Sequence, residues 1–404
     1  MEVREPIAKY LVQPCLKETE VGLIPGDWNL HRLVEVAEIR SGIAKNANST
    51  LSDPVDVPYL RVANVQDGFV DLTEVSQIRV GRADVKRFMV LPNDVLMNEG
   101  GDLDKLGRGT LWQGQINPCV HQNHVFVVRC RPGLSPRFLN AWTSSSPARL
   151  YFLLAGRQTT NLASINKSAL GQLPVPVPQR ESEQESIATA LSDADALIES
   201  LQQLLARKRL IKQGTMQELL TGQRRLPGHV GQWSFMRLRE VCRMKSGIAI
   251  TSESMSDHYS FPCYGGNGLR GYAKRFTHSG SYVLIGRQGA LCGNITLVEG
   301  KFYASEHAVV VDAFERTDVL WLACVLDRMK LNQYSESSAQ PGLSVAKLVN
   351  LETAVPPKEE QTAIATTLAD MDTEITALQA RLAKARQLKQ GMMQALLTGR
   401  IRLV

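Results

Sequence analysis

The chain has 404 residues and lacks the sequence features of membrane and secreted proteins. No apolar run approaches the roughly 20 residues that a membrane-spanning helix requires. The first twenty residues contain four glutamates and no apolar stretch, which is not typical of a secretion signal. We therefore expect a cytoplasmic protein without a membrane partner, and we assign no role to residues 1–20.

Cysteine is scarce and unfavourably spaced. The chain contains 7 cysteines, an odd number, and none of them forms a Cys-x-x-Cys pair. This usage predicts reduced thiols and argues against a disulfide framework or a zinc site. The segment CVHQNH contains metal-binding residue types, but no second ligand pair stands near it. Its amides Gln122 and Asn123 can bond to adenine, so contact with nucleic acid and a structural pair of histidines are alternative interpretations.

Motifs of catalysis are absent as well. The sequence has no Walker A motif and no Asn/Asp-Pro-Pro-Tyr/Phe motif of amino-methyltransferases. The acid-x-Lys arrangement of nucleases is missing between Asp102 and Lys105, and at Glu299-Gly300-Lys301 it lacks a second acid nearby. We therefore expect a chain without catalytic residues, cofactor or metal.

Residues 266–271 match the glycine pattern of dinucleotide-binding folds, Gly-x-Gly-x-x-Gly. That fold needs a long helix after the glycines, and the turn at residues 277–280 leaves no room for one. Two interpretations remain for this segment. It forms either a loop that brings Tyr264, Asn267 and Arg270 to a groove, or a plain hairpin.

Acidic residues are missing from two long stretches, although the net charge of the whole chain is only +6. Residues 105–180 contain no Asp or Glu, and neither do residues 258–298, which combine basic and aromatic side chains. Such stretches are typical of surfaces that bind nucleic acid. Ordinary surface charge is the simpler alternative for either stretch alone, and it explains two stretches in equivalent places less well.

The most informative feature that the chain does possess is an internal repeat. Residues 187–226 return 177 residues later as residues 364–403, with 23 of 40 positions identical and no gap. A shorter repeat relates residues 28–44 to residues 233–249, and both copies end in Ser-Gly-Ile-Ala. The two stretches between these repeats differ in length by 28 residues and share almost no sequence. This organisation suggests a protein that recognises two different targets at a fixed separation.

The longer repeat predicts a helix in each copy. Apolar residues recur at steps of four and three, which is the heptad pattern of a coiled coil. Each predicted helix begins after a proline-rich segment. Gly214 and Gly391 interrupt the pattern at the same place, so we expect a bend or a stutter there. In the variable domains, turns separate the β-rich runs VPYLRVANV, FVVRC, YVLIG and HAVVVD. Residues 137–154 and 319–331 are predicted to be helical.

The repeat is also cyclic. The first domain opens with Ile-Pro-Gly-Asp-Trp, which resembles the linker after the first helix, and the sequence ends where another such linker would begin. We therefore expect the first domain to lie near the end of the second helix. The predicted fold is α+β, with two mixed α/β recognition domains separated by two long antiparallel coiled-coil helices. Its pseudo-twofold symmetry would suit duplex DNA.

Several longer motifs occur in a characteristic order. The first domain contains PYLRVANVQDG, GGDLDKLGRGTLW and CVHQNHVFVVR, and the second contains CYGGNGLRGY, VLIGRQGALCGN and GKFYASEHAVVV. GRQTTNLASINKSAL and SAQPGLSVAKL precede the two helices, which end in QELLTGQRRL and QALLTGRIRL. With this order and duplication, nearly the whole chain resembles the specificity subunit of type I restriction-modification systems.

The resemblance implies a non-catalytic protein that binds a bipartite sequence in double-stranded DNA, with one half-site per domain and a spacer set by the helices. It also implies two modification subunits, which would methylate the DNA, and restriction subunits, which would translocate and cleave it. The corresponding limits are 1–20 for an N-terminal arm, 21–178 for target-recognition domain 1, 179–226 for the central helix, 227–356 for target-recognition domain 2 and 357–404 for the C-terminal helix.

In such a protein, arginines and lysines would neutralise phosphates, and Arg, Asn and Gln would contact base edges. The DNA-binding candidates in the first domain are Arg61, Asn64, Gln66, Lys105, Arg108, Gln122, Asn123, Arg157, Gln158 and Thr160. Those in the second domain are Tyr264, Asn267, Arg270, Arg287, Gln288, Lys301 and Gln340. An alternative function from a different class is a coiled-coil scaffold that joins two protein-binding modules.

Overall fold

A computed structural model describes residues 15–44, 52–101, 106–107, 109–158, 163–289, 291–335 and 342–403. The chain folds into two compact units. Unit 1 consists of Met1–Ser200 together with Leu382–Val404, and unit 2 consists of Leu201–Arg381. Each unit therefore contains one variable domain and a part of both long helices. None of the helices formed by the described residues has the length and apolar character that a membrane crossing requires.

Unit 1 contains several small sheets with helices packed on them. Its strands are β1 (Leu16–Thr19), β2 (Gly22–Pro25), β3 (Asn29–Arg32), β4 (Ala37–Ser41), β5 (Pro54–Leu60), β6 (Ser76–Gly81), β7 (Val95–Asn98), β8 (Gly100–Gly101), β9 (Gly109–Leu111), β10 (Val120–His121), β11 (Val125–Cys130), β12 (Arg157–Gln158), β13 (Ala163–Ser164) and β14 (Pro174–Val177). Its helices are α1 (Leu33–Val36), α2 (Arg82–Phe88), α3 (Pro136–Thr143), α4 (Ser146–Ala155), α5 (Lys167–Gly171) and the first half of α6 (Glu181–Thr221). The largest sheet has the order β4-β11-β7-β9, beside smaller sheets ordered β10-β5-β6 and β12-β13-β8.

The helix predicted for residues 137–154 is divided into α3 and α4. The division lies at Ser145, whose side chain accepts a hydrogen bond from the backbone N–H of Ala148 and so caps a new helix. Pro147 follows in the first turn of α4, where its missing N–H costs nothing. The segment predicted to be helical therefore forms two helices, because a capping serine and a proline start the second one.

Unit 2 is organised around one larger sheet. Its strands are β15 (Ser234–Arg237), β16 (Cys242–Ser246), β17 (Phe261–Gly265), β18 (Gly268–Ala273), β19 (His278–Gly286), β20 (Ile295–Ala304), β21 (Ala308–Ala313) and β22 (Glu352–Val355). Its helices are α7 (Leu238–Val241), α8 (Val319–Arg328), α9 (Val345–Leu348) and most of α10 (Lys358–Leu396), with 3₁₀ turns at Ser252–Ser254 and Leu331–Tyr334. Six strands form the sheet β16-β21-β19-β20-β17-β18. Alternate side chains of β19 and β21, including Val283, Ile285 and Val309, are buried against Trp321 of α8.

A strand precedes each long helix. Pro174–Val177 pairs antiparallel with Asn29–Arg32, and Glu352–Val355 pairs in the same way with Ser234–Arg237. The shorter repeat thus begins each domain with a strand, and the strand just before the long helix pairs with it. This pairing closes each variable domain where its ends meet.

The long helices run without a break, α6 over 41 residues and α10 over 39 residues. A Cβ added at Gly214 or Gly391 would meet nothing within 4 Å, so both glycines lie on open helix faces. Lys212 interrupts the apolar heptad pattern, and its ammonium pairs with Asp372 at 2.5 Å. The contact at this place is therefore ionic, and α6 continues through it as one helix. The bend or stutter expected near Gly214 and Gly391 stays a prediction.

The beginning of each long helix is held by an arginine from the end of the repeat. In unit 1, Arg402 pairs with the Glu183 carboxylate, which is 1% exposed, and with Asp27 at 2.8 Å. In unit 2, Arg225 pairs with Glu360, also 1% exposed, at 2.5 Å. Each guanidinium also lies over a tryptophan ring, Trp28 in unit 1 and Trp233 in unit 2. The hydrogen bonds to Glu183 and Asp27 raise the pKa of Arg402 above its usual value. These contacts define the arginine lock of each unit.

Neighbouring residues reinforce each lock. Gln184 accepts from the backbone N–H of Ser135 at 2.8 Å, and its counterpart Gln361 accepts from that of Asp318 at 2.8 Å. Leu396 and Leu397 are buried in the core of unit 1, as Leu219 and Leu220 are in the core of unit 2. The end of α10 therefore packs on the first domain, and the end of α6 packs on the second domain.

We predict that Arg402→Ala destabilises unit 1 by about 3–5 kcal/mol and that Arg225→Ala destabilises unit 2, because each leaves a buried carboxylate without its partner. Hydrogen–deuterium exchange should show faster exchange around residues 181–190 in the first variant and around residues 358–367 in the second. Arg224→Ala is the matched control, since its ion pair with Glu218 is exposed. Equal exchange in all three variants would contradict a stabilising role for the locks.

Candidate nucleic-acid interface

In unit 2, a groove of about 530 Å³ opens beside the turn between β17 and β18. Asn267 lies in this turn and Arg270 lies on β18, and both side chains are exposed. Gln288 and His307 also line the groove, and Nδ1 of His307 donates to Oε1 of Gln288 at 2.9 Å. The groove therefore presents amide and guanidinium donors on one open surface.

The backbone fixes the position of Arg287 next to this groove. Its N–H donates to the carbonyl of His307 at 2.8 Å, and its own carbonyl accepts from Leu343 at 2.9 Å. The half-buried guanidinium donates from Nη1 to Oγ of Ser246 at 3.1 Å. Tyr264, half-buried on β17, packs edge-on against Phe302 with ring centroids 6.0 Å apart. Its ring thus belongs partly to the core.

Lys301 lies elsewhere on the domain. It is exposed on β20, opposite Ser279, and its ammonium lies 5.1 Å from the centroid of the Phe276 ring. Lys301 does not line the groove. Gln340 falls outside the described residues. The structure therefore brings together Asn267, Arg270 and Gln288, with Arg287 beside them.

Unit 1 has a counterpart of this surface in a different chemical form. His124 donates from Nδ1 to Oε2 of Glu99 at 2.6 Å. Asn123 donates from Nδ2 to Nε2 of the same histidine at 3.3 Å. Gln122 is half-buried, and its N–H donates to the carbonyl of Leu60 at 2.8 Å. Asn123, His124 and Glu99 therefore form one linked polar group at the surface.

The candidates on the loop after β5 have structural partners. Asn64 is 3% exposed, accepts from the N–H of Arg61 at 2.9 Å and donates to the carbonyls of Asp71 and Glu74. Its amide is used by the loop, so Asn64 shapes the loop in this structure, and its contact with DNA stays a prediction from the sequence. Arg61 pairs with Glu74 at 3.3 Å. Gln66 donates to the carbonyl of Ala63 at 2.7 Å, which also holds the loop.

Arg157 is exposed on β12, which pairs through β13 with Gly100–Gly101 on β8. Glu99 immediately precedes β8, so this small sheet connects Arg157 to the polar group of unit 1. The backbone of Gln158 pairs with Ala163. Lys105, Arg108 and Thr160 fall outside the described residues, and they remain candidates from the sequence alone.

The Ser-Gly-Ile-Ala turn, which occurs in both copies of the shorter repeat, explains how both surfaces are held. A Cβ on Gly42 would lie 2.1 Å from the carbonyl oxygen of His121, and one on Gly247 would lie 2.3 Å from that of Ser305. Ile43 then forms a parallel bridge with Gln122, and Ile248 forms one with Ser305. Glycine is required because the chain passes directly against the backbone that precedes His124 and His307.

The two histidines of CVHQNH have different roles. His121 is 1% exposed, its Nδ1 bonds to the carbonyl of Val125 at 2.6 Å, and burial lowers its pKa to about 4. It is therefore a neutral structural residue. His124 faces the surface instead. Within the described part of the chain, no group of three His, Cys, Asp or Glu side chains is arranged to hold a metal ion.

Sequence reasoning missed Glu99, His124 and His307 as members of these surfaces. Alignment of HQNHVFVV with ASEHAVVV would have matched His124 with His307. The position of Glu99 had no comparable signal, because its partner His124 lies 25 residues away and only the sheet register brings them together.

Comparison with known proteins gives a consistent result. The sequence profile of the family described as type I restriction modification DNA specificity domain matches residues 25–207 and 231–387. The chain is 47% identical over 140 residues to the type I restriction enzyme EcoprrI specificity subunit of Escherichia coli, a match that spans 34% of this chain and 35% of that protein. It is 24% identical, over 98% of both chains, to the type I restriction enzyme MjaVIII specificity subunit of Methanocaldococcus jannaschii.

Two solved structures share the fold. The S subunit of a type I restriction-modification system from M. genitalium superposes with a TM-score of 0.61 at 16% identity, covering 91% of this chain and 96% of that one. A chain from a structure of type I R-M complex assembly and conformational transition superposes with a TM-score of 0.57 at 16% identity, covering 93% and 99%. At these identities the likeness establishes the fold alone.

We predict that Gly42→Ala and Gly247→Ala each destabilise one domain by about 1–3 kcal/mol, because the added methyl group would overlap a backbone carbonyl oxygen. Exchange at His124 should increase in the first variant and exchange at His307 in the second. Gly214→Ala is the control, and this change in an open helix should stabilise the helix by about 0.5–1 kcal/mol. Wild-type exchange at both histidines would refute the close approach.

Proposed function

The chain belongs to the family of type I restriction modification DNA specificity domains, and on that premise we propose that it reads a bipartite sequence in double-stranded DNA. Each variable domain would contact one half-site, and the two long helices would set the unread spacer between them. The observation that carries this proposal is the open groove of unit 2, where Asn267, Arg270 and Gln288 present donors that can bond to base edges in the major groove.

The domain limits 21–178, 179–226, 227–356 and 357–404 belong to this proposal, as does a pseudo-twofold arrangement with antiparallel coiled-coil helices. The equivalent arginine locks in the two units support it. So do the ion pairs of the helices, Lys389 with Asp195 in unit 1 and Lys212 with Asp372 in unit 2. In each unit, later residues of one helix pair with earlier residues of the other, as antiparallel neighbours do.

We further propose that the chain is non-catalytic and docks two modification subunits, with restriction subunits joining the complex for cleavage. A groove of about 930 Å³ in unit 2 and one of about 460 Å³ in unit 1 support two docking sites. The helical walls of these grooves share five repeat-related pairs. These pairs are Arg209 and Arg386, Lys212 and Lys389, Gln213 and Gln390, Met216 and Met393, and Gln217 and Gln394. Two equivalent walls would accept two copies of one partner.

DNA reading is tested by binding of the full chain to randomised duplexes, followed by titration of the selected site at several salt concentrations. We expect a bipartite preference and a linear fall of log affinity with log salt. Arg287→Ala should weaken specific binding by about 1–3 kcal/mol if the arginine contacts guanine, and by less with a smaller salt slope if it contacts phosphate. Arg243→Ala is the control. Binding without sequence preference or salt dependence would favour the scaffold alternative.

Docking is tested by native mass spectrometry of the chain with saturating modification subunit. The wild type should bind two copies. Gln213→Trp and Gln390→Trp, which fill one groove each, should reduce the number to one, and the double variant should bind none. Gln202→Trp is the matched control, since this exposed glutamine of α6 does not line a groove. Two copies on the double variant would place the docking sites elsewhere.

A further inference from the structure

Two residues at equivalent backbone positions of the two domains, Glu99 and Arg287, have side chains of opposite charge. The N–H of Glu99 donates to the carbonyl of His124 at 2.9 Å, and the carbonyl of Glu99 accepts from Ile165 at 2.8 Å. In unit 2, the same two bonds join Arg287 to His307 and Leu343, at 2.8 and 2.9 Å. Glu99 and Arg287 are therefore structural equivalents, each next to a surface histidine.

Glu99 precedes the long stretch of the first domain that lacks acids. Residues 105–180 contain no Asp or Glu, and Glu99, Asp102 and Asp104 come before them in the sequence. Glu99 shares its surface with His124 and Asn123. A carboxylate near DNA phosphates is repelled by them, and a hydrogen bond that it accepts from a base offsets part of that repulsion. Its side chain is 28% exposed, so an oxygen can still be reached while Oε2 is held by His124.

The side-chain chemistry indicates which bases fit each position. Carboxylates accept from the N4 amino group of cytosine, whereas arginine donates two bonds to O6 and N7 of guanine. His124 fixes the direction of the Glu99 carboxylate by donating from Nδ1 at 2.6 Å, and Asn123 in turn bonds to Nε2 of that histidine. A carboxylate held in this direction can accept a hydrogen bond from an amino group of a base, but not from a carbonyl oxygen.

We propose that Glu99 is a specificity-determining residue that accepts a hydrogen bond from a cytosine N4 amino group in the half-site of the first domain. His124 is its positioning residue, and Arg287 contacts guanine at the equivalent place in the other half-site. This inference rests on the DNA-reading function proposed above. Under this proposal, Glu99 increases the discrimination between sequences. It also lowers the affinity for every duplex, because its negative charge repels the phosphates whatever the sequence.

The experiment is selection of randomised duplexes by the full chain, for the wild type, Glu99→Gln, Arg287→Gln and the control Glu18→Gln, at an exposed glutamate of β1 in the same unit. Glutamine preserves the size of Glu99 and an acceptor for His124, but it favours adenine. At one position of the first half-site, Glu99→Gln should lower the preference for cytosine by roughly 5- to 150-fold and raise that for adenine. Affinity for unrelated duplex should stay equal or rise.

Arg287→Gln should change one guanine of the other half-site only, and Glu18→Gln should change neither half-site. Wild-type protein without any sequence preference would overturn the proposed function itself. A bipartite wild-type site that Glu99→Gln leaves unchanged would overturn only the role of Glu99. Loss of both half-sites together in Glu99→Gln, with a lowered melting temperature, would assign Glu99 a structural role and also overturn the inference.

Discussion

The pairing of a buried glutamate with an arginine from the far end of the repeat is the contact on which both units depend. Glu183 and Glu360 stand in the first turns of the long helices, and each carboxylate is 1% exposed. A carboxylate at that depth is tolerated only when a positive charge and hydrogen bonds compensate for lost hydration. Arg402 and Arg225 provide both. The lock therefore ties the start of one helix to the end of the other within each unit.

A second constraint acts on the backbone of the variable domains. Gly42 and Gly247 allow the chain to pass against the carbonyls before His124 and His307, where no side chain would fit. The strand register behind these positions then places Glu99 and Arg287 in equivalent sites. The two domains thus share backbone contacts and differ in the side chains at the surface. The sequence similarity between them lies in the repeats that form the shared contacts.

The sequence predicted the family resemblance correctly, and the matched profile covers both variable domains. It also predicted the strands at Val125–Cys130 and Ala308–Ala313 closely, since these are short apolar runs with β-branched residues. The sequence was less informative where a capping residue or a charged residue interrupts an apolar helical pattern. Ser145 and Pro147 start a new helix inside a segment that is helical throughout by its apolar pattern. Lys212 interrupts the apolar pattern of α6, and the structure shows it paired with Asp372 in a helix that continues past it.

Among the candidate residues, the sequence determined the residue types and the general place, because glycine-rich turns and amides next to acid-free stretches are visible without a fold. Only the tertiary structure decided which of them are available. The side-chain amide of Asn64 makes three hydrogen bonds within its own loop, whereas Asn267 and Arg270 are exposed beside a groove. Glu99 meets His124 only through antiparallel pairing of β7 and β11. Local patterns encode helices, strands and turns, but contacts between distant residues depend on strand register and burial, which no short stretch of sequence contains.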